Sequence, residues 1–179
     1  MTYREAPPPR RACPRCGLPL GDRVVAGDRV EECTSCGGVF VGVAALNRWL
    51  GDAAAQAAVR EAFPSGQTQL HPGGAMYVKC PVCAVVMNRR QFAAGAAVVV
   101  DVCRAHGTWF DAAELGKVME FVLAGGLDRA AAKEAERRAD EERAARVKAA
   151  LAGAAFEQAE NRSRYEGRIV RFLRGLFGR

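Results

Sequence analysis

The alternation of apolar and polar residues predicts two short β-hairpins in the first two thirds of the chain. Strands are expected at residues 18–25 and 29–32, and again at residues 85–92 and 97–102. Both intervening segments contain glycine, which suits the tight turn of a hairpin. The pattern therefore predicts the same supersecondary unit twice.

A helical pattern follows each hairpin. Apolar residues recur at helical spacing over residues 44–63, which end at a Pro-Ser-Gly sequence, and over residues 112–124, which end at Gly-Gly. Asp111 is placed to cap the second helix, and Glu114 three residues later completes the pattern of a capping box. We therefore expect a small α+β arrangement with one hairpin and one helix in each half.

Residues 128–163 are rich in alanine and in charges of both signs. Oppositely charged residues lie four positions apart, as in Glu134 with Arg138, a spacing that stabilises a helix. The large apolar residues of this stretch are Val147, Leu151 and Phe156, too few for the repeated seam of a coiled coil. The pattern favours an exposed helical spacer. Homo-oligomerisation through the C-terminal helices is the alternative.

The segment 164–179 predicts a basic amphipathic helix that completes a long C-terminal helical region. At about 100° per residue, apolar and basic side chains separate onto two faces. One face collects Ile169, Val170, Phe172, Leu173, Leu176 and Phe177, and the other collects Arg168, Arg171, Arg174 and Arg179. Such a helix binds an anionic membrane surface or a groove in a partner protein. Alternatively, its apolar face folds back onto the rest of the chain or onto a second copy.

Composition limits how such a chain is stabilised. It has 179 residues and a net charge of +6, so it holds one ordinary domain or two small ones. Its residues are 50% hydrophobic but only 7% aromatic, and much of the apolar count is alanine, which buries little surface. We therefore expect a thin core that depends on disulfides, a metal or oligomerisation.

The seven cysteines and one histidine form four pairs, each with two residues between its members. The pairs are Cys13 with Cys16, Cys33 with Cys36, Cys80 with Cys83, and Cys103 with His106. Sixteen residues separate the first two pairs and nineteen separate the last two, the spacing typical of zinc sites. We therefore predict two zinc ions, one held by four cysteines and one by three cysteines and a histidine. The all-cysteine set also suits iron.

Neither scattered buried thiols nor a redox pair fits the cysteine pattern as well as zinc does. All seven cysteines fall into pairs without remainder, which argues against scattered buried thiols. Neither half has the βαβ context of a thioredoxin-type redox pair. Moreover, Cys80 and Cys83 follow Cys13 and Cys16 by the same 67 residues, so the metal-binding unit is repeated.

Four protein ligands leave a zinc ion no open position for water or substrate, so both predicted sites are structural and we expect no enzymatic activity. His71 lies among turn-forming residues and is expected to be an exposed linker residue rather than a ligand or a base. We expect Trp109 and Phe110 to pack the second hairpin onto its helix rather than to stack on a nucleic-acid base.

The second unit resembles the bacterial zinc ribbons of the transcription-factor-IIB type. The resemblance rests on Cys80-Pro81-Val82-Cys83 and on residues 101–115, which read Asp-Val-Cys-Arg-Ala-His-Gly-Thr-Trp-Phe-Asp-Ala-Ala-Glu-Leu. Residues 12–46 resemble the same pattern less closely, because Phe40, Gly42 and Ala45 replace the family's Trp, Asp and Glu. The resemblance implies tandem zinc ribbons, a fold shared with a transcription factor, but it carries no activity by itself.

Charge distribution separates the functional hypotheses. Residues 1–127 carry 13 basic and 11 acidic side chains, whereas residues 164–179 carry five and one. Nucleic-acid binders concentrate positive charge on the binding module, and here Arg89-Arg90 is its main basic feature. We therefore expect a non-enzymatic zinc-binding adapter that docks through residues 164–179 onto a protein partner or an anionic membrane surface. A nucleic-acid-binding or transcription-associated regulator is the alternative.

These patterns divide the chain into segments. We expect a disordered tail at residues 1–11, ribbon-plus-helix units at 12–63 and 76–125, a linker at 64–75, the charged helix at 128–163 and the amphipathic helix at 164–179. The N-terminus lacks the apolar stretch of a signal peptide, and no apolar run is long enough to cross a bilayer. We therefore expect a cytoplasmic protein, peripheral at the inner membrane face if its last helix docks there.

Overall fold

In the computed structural model, which describes residues 10–66 and 76–176, both halves contribute strands to one six-stranded antiparallel sheet. The strands are β1 (Gly21–Val25), β2 (Asp28–Glu32), β3 (Val39–Gly42), β4 (Asn88–Gln91), β5 (Val99–Cys103) and β6 (Gly107–Phe110). Both predicted hairpins are present, and β1 and β4 each begin three residues later than the pattern indicated. The result is a mixed α/β architecture with a long C-terminal helix.

The strand order is β1-β2-β3-β6-β5-β4, so the two halves meet where β3 pairs with β6. In this pairing Phe40 lies opposite Trp109 and Gly42 lies opposite Gly107. The separate hairpin units expected from the sequence are therefore joined by main-chain hydrogen bonds. The third strand of each half, which the hydrophobic pattern did not predict, makes the junction.

The two faces of the sheet cover different cores. The helix face carries Val30, Val41 and Phe110, which pack with the helices into a buried apolar cluster. The opposite face, here called the cysteine face, carries Phe40 and Trp109, which pack against the cysteine pairs. Because both clusters contain fully buried large side chains, the core is more substantial than the composition indicated.

Three helices of the first compact unit, Met1–Ala131, cover the helix face: α1 (Val43–Gly51), α2 (Ala53–Ala62) and α3 (Glu114–Leu123). The single helix predicted over 44–63 is wrong, because the chain breaks at Asp52. This residue adopts an extended conformation, and its carboxylate accepts hydrogen bonds from the backbone N–H groups of Ala54 and Ala55 to cap α2. The predicted stop at Pro-Ser-Gly is confirmed, since α2 ends at Ala62.

The start of α3 also differs from the prediction. Its N-cap is Ala113, with a left-handed φ of 63°, and Asp111 does not cap the helix. Half of the capping box forms, because the Glu114 carboxylate accepts the backbone N–H of Asp111. The Asp111 carboxylate is instead held by other partners, described below.

The fourth helix, α4 (Gly126–Leu176), begins in the first compact unit and forms the second, Ala132–Arg179. It continues through the boundary predicted at residue 163, so the two predicted helical segments are one helix. Nearly every described side chain from residue 132 onward is exposed, and arginine–carboxylate pairs such as Arg137 with Glu134 line its surface. Within the described residues, no helix is long and apolar enough to cross a membrane.

Several predicted features lie outside the described residues. These are residues 1–9 of the predicted tail, residues 67–75 of the predicted linker with His71, and residues 177–179 with Phe177 and Arg179.

The junction of the halves requires a glycine at position 107. A Cβ added to Gly107 would lie 2.2 Å from the carbonyl oxygen of Val41 in β3. We predict that Gly107→Ala lowers the free energy of unfolding by about 1–3 kcal/mol, because the added methyl group pushes β6 away from β3. Chemical denaturation followed by circular dichroism measures this loss.

Gly21→Ala is the matched control, since it also places a Cβ on a strand glycine. That atom would meet nothing closer than the Glu32 carbonyl oxygen at 3.7 Å. We expect the control to change the stability by no more than about 0.5 kcal/mol. Equal stability of the two variants would contradict the tight contact at the junction.

Candidate metal centres

The four cysteines of the first half converge on one point. Their sulfur atoms all lie within 4.8 Å of one another. The Sγ atoms of Cys13 and Cys36 are 3.6 Å apart, and those of Cys16 and Cys33 are 3.4 Å apart. All four are free thiols, so the structure forms no disulfide between them.

The second half repeats this arrangement with a histidine in place of one cysteine. Cys80, Cys83, Cys103 and His106 also offer ligand atoms within 4.8 Å of one another. The Nδ1 atom of His106 faces the thiols, 3.4 Å from the Sγ of Cys103 and 3.8 Å from that of Cys80. Among the described residues, the structure thus brings together the eight side chains that the spacing singled out, in the two predicted groups.

A repeated backbone turn holds the ligands in position. The N–H of the residue after each of the first three pairs donates to the carbonyl of the first cysteine, as Gly17 does to Cys13 at 2.9 Å. In two pairs a backbone N–H also points at the first sulfur: Arg15 N–H at Cys13 and Val82 N–H at Cys80, both 3.4 Å away. Hydrogen bonds of this kind orient a ligand and stabilise its thiolate form.

The thiols have unequal pKa values. Burial raises the pKa of Cys13 well above its ordinary range and that of Cys36 to about 11. At Cys33, burial is outweighed by hydrogen bonds from the Cys36 backbone and the Cys16 thiol, which lower the pKa to about 7. At Cys103, burial is outweighed in the same way by hydrogen bonds, chiefly with His106, and the pKa is also about 7. Each cluster therefore contains a thiol whose pKa is lowered by its hydrogen bonds, which favours the thiolate form that binds a cation.

The geometry and the donor atoms suit zinc. Zinc–sulfur bonds of about 2.3 Å in a tetrahedron place the sulfur atoms about 3.8 Å apart. The observed Sγ separations of 3.4, 3.6 and 3.9 Å bracket this value. Soft thiolates with or without an imidazole are the usual ligands of structural zinc, and the all-cysteine set also accommodates iron.

A buried ionic network joins the first cluster to the second half. Arg15, between the first two ligands, donates to both carboxylate oxygens of Asp111 at 2.7 Å and to Asp101 at 3.1 Å. The exposed fractions of these side chains are only 9% for Arg15, 15% for Asp111 and 2% for Asp101. Asp101 lies on β5 just before the ligand Cys103, and Asp111 directly follows β6. Arg15 therefore links the two clusters through β5 and β6.

Tryptophan and further carboxylates extend this network. The indole Nε1–H of Trp109 donates to Asp111 at 2.9 Å, and Arg89 approaches Asp101 at 3.3 Å. One oxygen of Asp101 has no hydrogen-bond partner among the described residues, and burial raises the pKa of this carboxyl despite Arg89 and Arg15. Burial also raises the pKa of Glu114, to about 7.

Sequence reasoning missed Arg15 and Asp101. The partners of Arg15 lie 86 and 96 residues away in the chain, so no local periodicity could pair them with it. The one signal in the sequence was a charged residue inside an otherwise apolar strand at position 101. Arg89, predicted as part of the main basic feature of the ribbons, makes an ion pair with Asp101 instead of facing solvent alone.

The predicted packing of the second hairpin onto its helix is confirmed for Phe110 and is wrong for Trp109. Trp109 and Phe110 are both fully buried. Phe110 packs on the helix face as predicted, but Trp109 packs on the cysteine face, directly over Gly38, where an added Cβ would lie 2.2 Å from the indole ring. Both rings are therefore closed off from any base that could stack on them.

Comparison with known proteins supports the interpretation of the first cluster as a zinc site. Residues 12–52 match the family model of the transcription-factor-IIB zinc ribbon, described as a transcription factor zinc-finger. No match covers the second cluster, which is a candidate site from its geometry. No curated protein and no solved structure matches the chain significantly.

The Arg15 network gives a test of how the halves are held together. We predict that Arg15→Met lowers the free energy of unfolding by about 3–5 kcal/mol, because it removes the guanidinium that pairs with both buried carboxylates, of which Asp101 also pairs with Arg89. Guanidinium unfolding at fixed zinc concentration measures the change. Arg104→Met, an exposed arginine between Cys103 and His106, is the control and should cost no more than about 0.5 kcal/mol. Similar losses in both variants would contradict the structural role of Arg15.

Proposed function

We propose that this protein is a non-enzymatic zinc-binding interaction protein. In this proposal two structural zinc ions hold tandem zinc ribbons, and the C-terminal helix docks the protein onto an anionic membrane surface or a partner protein. The observation that carries the proposal is the completeness of both clusters, each of which offers four ligands from the chain.

The ligand count bears on catalysis. A catalytic zinc keeps a position for water or substrate, whereas a zinc with four protein ligands has none. With zinc bound by Cys13, Cys16, Cys33 and Cys36, and by Cys80, Cys83, Cys103 and His106, both coordination shells are filled. The metal would stabilise the fold, since binding free energy at such sites is folding free energy.

The tandem ribbon is proposed from internal similarity. The family model covers the first unit. The second has the same order of cysteine pair, hairpin, second pair, short strand and helix, and the same backbone turn at Cys80 as at Cys13. Its strands continue the sheet of the first unit, so both ribbons would share one sheet.

The docking role is proposed from the end of α4. Tyr165, Ile169 and Phe172 lie within one sector of the helix, and 41% or more of each side chain is exposed. Arg168 and Arg171 lie along one side of this sector, and Glu166 is the only acidic residue after position 160. An exposed apolar stripe bordered by arginines suits an interface rich in anionic lipid.

A nucleic-acid-binding regulator is the second candidate, and the description of the matching family favours it. The distribution of charge along the chain argues against nucleic-acid binding. Residues 1–127 are nearly neutral, and the seven thiolates outweigh the positive charge of two zinc ions. Arg89 is moreover engaged by Asp101.

Metal analysis tests whether both candidate sites bind zinc. We predict two zinc ions per chain for the purified protein and one for Cys83→Ser, which removes one ligand of the second cluster. His106→Cys is the matched control, because it keeps four ligands and should retain both ions. Elemental analysis for zinc and iron distinguishes the metals. Two ions in Cys83→Ser, or fewer than two in the parent protein, would contradict the proposal.

Vesicle flotation tests the C-terminal helix. We predict that the full chain floats with phosphatidylserine vesicles at low salt, floats less at high salt and no longer floats when truncated after Ser163. The double variant Ile169→Ser, Phe172→Ser should lose flotation, whereas Val147→Ser, Leu151→Ser, also exposed on the same helix, should retain it. Duplex DNA is added as a competitor for the vesicles. If the truncated chain does not float and stays bound to DNA, the result would favour the nucleic-acid-binding regulator.

A further inference from the structure

A groove lies beside the second cluster and is lined in part by the first hairpin. Its volume is about 550 Å³, and its lining includes Arg10, Arg11, Arg29, Phe40, Val82 and His106. All of these residues belong to the first compact unit. The groove is thus formed jointly by the first hairpin and by the residues that carry the second cluster.

The arginines of the groove differ in whether they form ion pairs. Arg11 makes an ion pair with Glu31 at 2.8 Å. Arg10 and Arg29 are exposed, and no described residue forms a hydrogen bond or an ion pair with either guanidinium group. Asp22 also lines the groove, so its charge is mixed, with an excess of cationic groups.

His106 adds a hydrogen-bond donor. Its Nδ1 atom faces the thiols of the second cluster, so a metal bound there leaves the proton on Nε2, at the other side of the ring. A metal-bound histidine normally donates this N–H to a carboxylate, a carbonyl or water. In the described part of the chain no such acceptor contacts His106, although the residue lines the groove.

Apolar side chains complete the lining. Phe40 lies in the wall of the groove, and Val82 is 38% exposed at its margin. The volume is within the range of about 300–1,000 Å³ found for pockets that bind small molecules, and so is large enough for one or two side chains of a peptide. The chemistry suits a ligand that carries carboxylates next to apolar groups.

We propose that this groove binds a short, extended acidic peptide segment, with carboxylates on Arg10 and Arg29 and an acceptor on the Nε2–H of His106. The carboxylates of Asp22 and Glu31 disfavour a uniform polyanion such as nucleic acid, whereas a peptide can space its charges to avoid them. This inference rests on the proposed function, because metal in the second cluster sets the proton on Nε2.

Fluorescence anisotropy with the zinc-loaded full chain tests the inference. The probe is a labelled short peptide of alternating glutamate and leucine, and its control has glutamine at each glutamate. We expect the acidic peptide to bind at least about tenfold more tightly than its control, because charge-assisted hydrogen bonds are lost with glutamine. Arg10→Gln with Arg29→Gln should also weaken binding at least about tenfold. Arg60→Gln with Arg90→Gln, which removes the same charge outside the groove, should leave binding nearly unchanged.

His106→Cys separates this inference from the proposed function. Metal analysis of this variant and of the parent protein is done first, so absence of metal would count against the proposed function. If both proteins hold two ions, we expect the variant to bind the acidic peptide several-fold more weakly, and the imidazole Nε2–H resonance of the parent protein to shift on titration. The inference would be overturned if the metal-loaded parent protein did not bind the peptide. It would also be overturned if the Arg10→Gln, Arg29→Gln variant bound the peptide as tightly as the parent protein does. Tighter binding of a single-stranded oligonucleotide that depends on the same arginines would also overturn it.

Discussion

The antiparallel pairing of β3 with β6 is the constraint on which the rest of the structure depends. It joins two hairpin units, each too small to bury much surface alone, into one sheet with two covered faces. Close approach of the strands requires that Gly107 lack a side chain, and Gly38 leaves the space that the Trp109 ring fills. Through this pairing the helices of both halves share one core, and the cysteine pairs of both halves lie against one set of aromatic rings.

The two faces of the sheet are stabilised in different ways. On the helix face, large apolar side chains from both halves exclude water, as in an ordinary small domain. On the cysteine face, the apolar cluster is small and consists largely of the metal ligands themselves with Phe40 and Trp109. There the proposed zinc ions and the Arg15 network replace apolar burial. The proposed zinc ions thus lie on the face of the sheet that α1, α2 and α3 do not cover.

The Arg15 network also explains why the two candidate metal sites are not independent features. A guanidinium between two ligands of the first cluster is paired with carboxylates that flank ligands of the second. Buried ion pairs contribute little net stability when intact, but losing one partner is costly. The network therefore acts chiefly to require one relative arrangement of the two halves. The same arrangement forms the groove beside His106, which neither half could build alone.

Local patterns in the chain were enough to determine much of the protein. Cysteine spacing identified the members of both clusters, because a gap of two residues lets both side chains of a pair reach one point. Alternation and helical periodicity identified the hairpins and the helices, apart from the break at Asp52, where a capping carboxylate ended one helix and began another. The exposed character of residues 132–172 followed from their charge pattern.

Tertiary structure alone decided how these parts combine. The β3–β6 junction, the pairing of Arg15 with Asp101 and Asp111, and the position of Trp109 on the cysteine face depend on contacts between residues distant in the chain. Asp111 shows the difference most clearly: its position before a helix predicts a cap, but its carboxylate accepts hydrogen bonds from a buried arginine of the other half instead. Periodicity reports which side of an element is buried, whereas it carries no information about which distant residue will meet it there.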